Sequence, residues 1–223
     1  MGEMIEFTRP DGKSCPAYLA TPTEGATAPA VVVIQEYWGL NPQIKKTGDR
    51  LAAEGFRALV PDLFRGKLAS DATEASHLMS SLNFGDAATQ DIRGALEHLK
   101  KSSKKVGAIG FCMGGALVII AGANVPGLDA GVVFYGIPPK QVADPAKITI
   151  PMQYHYANID DWCTPERANE VEAAVRTSKA PHDLFRYDAH HAFMNDSRPE
   201  VYDAALAKTA WERSVTFLKQ QLG

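Results

Sequence analysis

The residues most able to do covalent chemistry in this chain are Gly110-Phe111-Cys112-Met113-Gly114-Gly115. They follow Lys105-Val106-Gly107-Ala108-Ile109, a short run that reads as a buried strand. They precede Ala116-Leu117-Val118-Ile119-Ile120-Ala121, apolar enough for the core-facing start of a helix. Strand, Gly-x-nucleophile-x-Gly turn and helix together describe a nucleophile elbow, here with cysteine where serine is usual. Such a turn strains its central residue, and Gly110 and Gly114 leave room for backbone to approach it. Cys112 then stands at a helix N-terminus, whose free N–H groups favour a thiolate. Cysteine is also commonly a buried small hydrophobe, and glycine-rich strand-to-helix turns also bind phosphates. The phosphate reading lacks its marks: there is no Gly-Lys-Ser/Thr, and the glycines are not spaced as Gly-x-Gly-x-x-Gly.

An elbow needs a sheet to carry it, and the rest of the chain supplies one. Ile5 to Thr8 and Ala17 to Ala20 read as strands about the turn Pro10-Asp11-Gly12. Ala30-Val31-Val32-Val33-Ile34 is a continuous apolar run, as expected of a strand buried on both faces. A helix is predicted from Gln43 to Ala53 and a strand from Phe56 to Val60, followed by a looser stretch, Arg65 to Asp86, with short helices. Ala88, Ile92, Ala95, Leu96 and Leu99 then share one helical face. Beyond the elbow, Gly131 to Tyr135, Met152 to Tyr156 and Leu184 to Tyr187 are predicted strands. Thr164-Pro165-Glu166 opens a helix with an N-cap and a proline at its first position. A last helix carries Trp211, Val215, Leu218 and Leu222 on one stripe. Alternating strands and helices predict a mostly parallel sheet covered on both faces, an α/β-hydrolase fold, as one domain over residues 1–223. Active sites of such sheets lie at the carboxyl ends of the strands.

Bulk properties exclude several function classes. A length of 223 residues with 45% hydrophobic and 22% charged residues suits one soluble α/β domain. The formal charge of −3 offers neither a basic footprint for nucleic acid nor a polybasic membrane patch. No apolar run is long enough to span a bilayer, and Met1-Gly2-Glu3-Met4-Ile5-Glu6 lacks the apolar stretch of a signal peptide. The three cysteines, Cys15, Cys112 and Cys163, show no metal-finger or redox-motif spacing. A reducing, cytoplasmic setting is expected, with a small-molecule partner, no nucleic acid and no membrane. Nothing in the sequence sets an oligomeric state.

In the α/β-hydrolase order, the acid and then the histidine follow the nucleophile. His77 and His98 precede the elbow, His155 lies inside a strand and His182 on the approach to one, which leaves His190 and His191 beyond the last strand. The acid belongs after the preceding strand, where Asp160 and Asp161 stand together. One of them would orient the histidine and stabilise its imidazolium; the pair would otherwise only favour a helix dipole. Glu36 ends the strand Val31 to Gln35, in the loop that supplies one backbone N–H of an oxyanion hole. The expected donors are the N–H groups of Tyr37 and Met113.

With these residues placed, the chain resembles the dienelactone hydrolase family, the carboxymethylenebutenolidases, over nearly its whole length. The likeness is carried by Gln35-Glu36-Tyr37-Trp38-Gly39-Leu40-Asn41, Pro61-Asp62-Leu63-Phe64, Gly110-Phe111-Cys112-Met113-Gly114-Gly115, and His191-Ala192-Phe193 with Asn195-Asp196. The resemblance implies a Cys112, Asp160, His191 triad, selecting His191 over His190 and favouring Asp160 over Asp161. It also implies that Glu36 interacts with the resting thiol and moves when substrate binds. The family's arginine soon after the triad histidine has no match in Phe193-Met194-Asn195; Arg198 and Arg65 are the nearest stand-ins.

The expected activity is cofactor-free hydrolysis of lactones or small carboxylic esters, with a thioesterase or general carboxylesterase on the same residues as the alternative. A metal-dependent reading through His155, Asp160, His190 and His191 lacks the helical His-x-x-x-His pairing of zinc enzymes, so no metal is expected. A binding protein on an inherited hydrolase fold is the remaining class. Cys15, in the opening hairpin, and Cys163, in a loop, are expected to be dispensable.

Overall fold

Burial of every residue in four successive strands sets the architecture. In the computed structural model, which describes residues 2–23 and 25–223, these are β3 (Ala30–Ile34), β4 (Arg57–Pro61), β5 (Val106–Phe111) and β6 (Ala130–Phe134). Strands covered on both sides require helices on both faces. They lie in an eight-stranded sheet, ordered β1-β2-β4-β3-β5-β6-β7-β8, with β1 (Glu3–Thr8), β2 (Ser14–Ala20), β7 (Met152–Ile159) and β8 (His182–His190). The β1–β2 and β2–β4 pairings are antiparallel and all others parallel.

Helices α1 (Pro42–Ala53) and α7 (Ala204–Leu222) cover one face, where Ile44, Leu51, Trp211, Val215, Leu218 and Leu222 are buried. The other face carries α2 (Ala72–Ser81), the short α3 (Phe84–Asp86), a π-helical segment Ala87–Ile92 running into α4 (Arg93–Lys100), then α5 (Met113–Asn124) and α6 (Pro165–Thr177). The predicted stripe of Ala88, Ile92, Ala95, Leu96 and Leu99 is buried there, but its first turns are π-helical, which side-chain periodicity does not reveal. α1 begins at Asn41, whose side chain caps the Ile44 N–H, and α6 at Thr164, which caps Arg167.

Two strands run further than their apolar residues predict. β7 continues through Ile159 rather than stopping at Tyr156, and β8 spans His182 to His190 rather than Leu184 to Tyr187. His182 is therefore the first residue of β8, and His190 its last rather than a loop residue. Between Ala157 and Ile159 the register slips: two steps along β7 face three along β8, from Tyr187 to His190. A bulge of this kind re-aims the residues beyond it; these are Asp160 and His191.

Candidate active site

The elbow is built as close packing demands. Cys112, between β5 and α5, holds φ 53° and ψ −116°, a conformation that costs on the order of 1–3 kcal/mol for a residue with a Cβ. Its N–H donates to the Phe134 carbonyl (3.0 Å), and its carbonyl accepts from Ala116 N–H (3.1 Å). A Cβ on Gly110 would strike the Gly114 carbonyl, and one on Gly114 would strike the carbonyls of Ile34 and Gln35. The first turn of α5 thus presses on the end of β3. This brings the turn carrying Glu36 and Tyr37 against the elbow carrying Cys112 and Met113.

Asp160 follows β7 and is buried. Its Oδ1 accepts two backbone N–H groups, from Trp162 and Cys163, each at 2.8 Å. Its Oδ2 accepts from Nδ1 of His191 at 2.7 Å. Burial alone would push this carboxyl up; the hydrogen bond and charge of His191, with the two N–H donors, override it and hold the group below its ordinary value. With its proton on Nδ1, the imidazole has Nε2 free as a base, and Nε2 is buried without a hydrogen-bond partner. Asp161 and His190 are exposed.

Glu36 is buried and held twice. Tyr135 donates its hydroxyl to Oε1 (3.1 Å), and Asn195 donates Nδ2 to Oε2 (2.7 Å). Burial raises its pKa, while Asn195, His191, Tyr135 and Arg198 oppose the rise. The Cys112 thiol is pushed well above its ordinary value, first by burial and next by the Glu36 carboxylate, with the Met113 N–H pulling the other way. The helix N-terminus does not prevail here.

Glu36, Tyr37, Cys112 and His191 line one small cavity of about 70 Å³, with Met79, Trp162, Ala192 and Arg198. Arg198 lies 5.9 Å from the Trp38 ring and donates to Glu200 at 2.8 Å. Arg65 is elsewhere, pairing with the buried Asp91 at 2.5 Å. His155 is buried under α7, bonded to Tyr187, Gln153 and Ser214, so the set His155, Asp160, His190 and His191 is not assembled. Sequence reasoning overlooked Tyr135, which holds φ 36° at the end of β6, and Trp162. It placed Cys163 in a loop, where it lies, but did not foresee that it is buried beside Asp160 with its thiol donating to the Tyr135 carbonyl (3.1 Å). Asn195 had a signal, its place in the His191-Ala192-Phe193 stretch.

The eight-stranded sheet with a cysteine elbow at the end of its fifth strand is that of an α/β-hydrolase. The family model of the dienelactone hydrolase family matches residues 15–222. The chain belongs to the dienelactone hydrolase family and is a carboxylic ester hydrolase of that kind. "Protein usf" of Aquifex pyrophilus is 35% identical, with 100% of each chain covered. A protein of Aquifex aeolicus named "Putative carboxymethylenebutenolidase" is 33% identical, again over 100% of each. Among solved structures, a dienelactone hydrolase-like promiscuous phosphotriesterase from metagenomic libraries superposes with a TM-score of 0.87 at 25% identity, covering 100% of this chain and 99% of its own.

Proposed function

We propose that this chain hydrolyses lactones or small carboxylic esters through an acyl-enzyme on Cys112, with His191 as the base and Asp160 as the group that orients it. The observation that carries this reading is the 2.7 Å bond between Asp160 and His191 Nδ1, which leaves Nε2 unpartnered on a side chain that lines the same cavity as Cys112. His191 takes the thiol proton, Sγ attacks the carbonyl carbon, and the tetrahedral oxyanion rests on the N–H groups of Tyr37 and Met113. The proton on Nε2 passes to the leaving alkoxide, and water, deprotonated by the same nitrogen, then releases the acid and restores the thiol. Asp160 stabilises the imidazolium in both halves.

A charged Glu36 opposes the thiolate in the free enzyme, and its hydrogen bonds to Tyr135 and Asn195 offset part of the cost of burying that charge. A substrate that displaces this carboxylate removes one cause of the high thiol pKa at the moment attack is required. Arg198 is the one cation among the residues lining the cavity, which favours a substrate bearing a carboxylate away from the scissile bond. The test is turnover of a panel of lactones, aryl esters and thioesters, with and without a carboxylate, by the native protein and Cys112→Ala. Loss of turnover in the variant, with an acyl adduct trapped on Cys112 of the native protein, is the expected result. Undiminished turnover by Cys112→Ala would end the assignment.

A further inference from the structure

The loop that carries Asp160 places a second thiol beside it. Cys163 Sγ, a carboxylate oxygen of Asp160 and a ring nitrogen of His191 all lie within 4.8 Å of one another, and both Cys163 and Asp160 are buried. We propose that these three side chains form an inhibitory binding site for Zn2+, set behind the catalytic imidazole and distinct from the Cys112 thiol.

The donor set is one sulfur, one nitrogen and one oxygen, a combination that suits a borderline-soft tetrahedral cation and is common in zinc sites. The carboxylate is already oriented for it: Oδ1 is occupied by the N–H groups of Trp162 and Cys163, so Oδ2 alone faces the imidazole. Fixed outer hydrogen bonds of this sort are what hold metal ligands in place. Burial, and next the Asp160 carboxylate, push the Cys163 thiol up to about 12, with Arg167 and the Ile137 N–H pulling the other way, so the thiol gives up its proton to the metal rather than in the free protein. Zinc bonds of about 2.0–2.3 Å require Asp160 Oδ2 and His191 Nδ1, now 2.7 Å apart, to spread by roughly half an ångström to admit the metal, with Sγ turning from the Tyr135 carbonyl toward it.

Binding balances simply. Zn2+ takes the place of the hydrogen on Nδ1, which moves to Nε2, and Cys163 releases one proton to solvent. No oxidant or reductant is involved. The imidazole is then held in the tautomer with its proton on Nε2, and that nitrogen can no longer accept the thiol proton. The metal thus inhibits by occupying the face of His191 that Asp160 uses, while the Cys112 side of the ring stays open. The inhibition rests on the catalytic role proposed above for His191; the binding does not.

The experiment therefore separates the two. In Cys112→Ala, which removes the competing thiol in the cavity, Zn2+ should bind with one-to-one stoichiometry in competition with a chromophoric chelator. Co2+ in its place should show a thiolate-to-metal charge-transfer band in the near ultraviolet. In Cys112→Ala/Cys163→Ser the band should vanish and Zn2+ affinity fall by about tenfold or more. On the protein with Cys112 intact, Zn2+ should inhibit reversibly, and Cys163→Ser should weaken that inhibition relative to its own uninhibited rate. Absence of the cobalt band in Cys112→Ala overturns the site whatever the fate of the double variant. Equal Zn2+ affinity with and without Cys163 also overturns it. Zinc binding at Cys163 without inhibition would keep the metal site and count against the role of His191.

Discussion

Replacing Asp160 by asparagine should separate orientation of the imidazole from packing. The carboxylate accepts three hydrogen bonds, two from backbone N–H groups on Oδ1 and one from His191 on Oδ2. An asparagine amide has one oxygen and one NH2 group. If the oxygen keeps the two N–H donors, the NH2 faces Nδ1, which must then accept. The imidazole proton moves to Nε2, and the base on the Cys112 side is lost. Turning the amide over keeps the His191 bond but sets NH2 against two N–H donors, leaving both unpaired in a buried turn, so the first arrangement wins. The expected loss in kcat is on the order of 10⁴-fold, about 5.5 kcal/mol of transition-state stabilisation, with KM changed far less. Asp161→Asn alters an exposed side chain and should shift stability by no more than about 0.5 kcal/mol, with turnover unchanged. Steady-state rates on an activated aryl ester, with circular dichroism to show that both variants fold, make the comparison. A loss below about tenfold in Asp160→Asn would refute the tautomer argument. The same loss in Asp161→Asn would move the acid by one residue.

Three further outcomes follow from the same geometry. Glu36→Gln removes the second-largest cause of the raised thiol pKa, after burial, so iodoacetamide should alkylate Cys112 faster than in the native protein while turnover falls. Equal alkylation rates across about pH 6 to 9, bracketing the ~8.5 of a free thiol, would detach Glu36 from the nucleophile. Arg198→Met should raise KM for carboxylate-bearing esters by about tenfold and leave neutral esters unchanged; equal effects on both would assign Arg198 to structure alone. Burial holds His155 down at about 3, so below the ~6.5 of an unfolded histidine the unfolded chain binds a proton that the fold refuses. The neutral His155 contributes fully above that pH and loses ground as pH falls, by about 2 kcal/mol at about pH 5. Urea unfolding of His155→Gln should show less loss between pH 7 and 5 than the native protein, and an identical loss would remove His155 from the account.

Much of this arrangement was legible because a parallel sheet puts its reactive residues where its apolar runs stop. Val31-Val32-Val33-Ile34 ends one position before Gln35-Glu36, and the run to Phe111 ends at Cys112. Uniform burial makes such runs conspicuous, so the residues after them stand out. β8 shows the opposite case. It is an edge strand with several polar, partly exposed positions, so its apolar signal stops at Tyr187 while its hydrogen bonds to β7 continue to His190. The bulge that aims Asp160 and His191 at each other arises from pairing between strands about thirty residues apart, which no local pattern records. Chain order and family resemblance pointed to both residues; only the register brings them together.

Cys163 was missed for a reason that also explains its place. Its neighbours Asp160-Asp161-Trp162 and Thr164-Pro165 read as a polar turn leading into a helix cap, and polar turns ordinarily face water. Here the turn folds back on Asp160, whose Oδ1 collects the N–H groups of the residues two and three positions on. That local ring turns Asp161 outward and Cys163 inward. Trp162 remains 52% exposed, with its ring at the rim of the cavity. The hydrogen bonds that fix the carboxylate for His191 are therefore the same ones that bury the thiol beside it. Any substitution that loosens the turn to displace Cys163 also loosens Asp160, so the proposed triad acid and the candidate zinc site stand or fall as one piece of backbone. The serine variant at position 163 is the informative one because it keeps both backbone N–H bonds and removes only the sulfur.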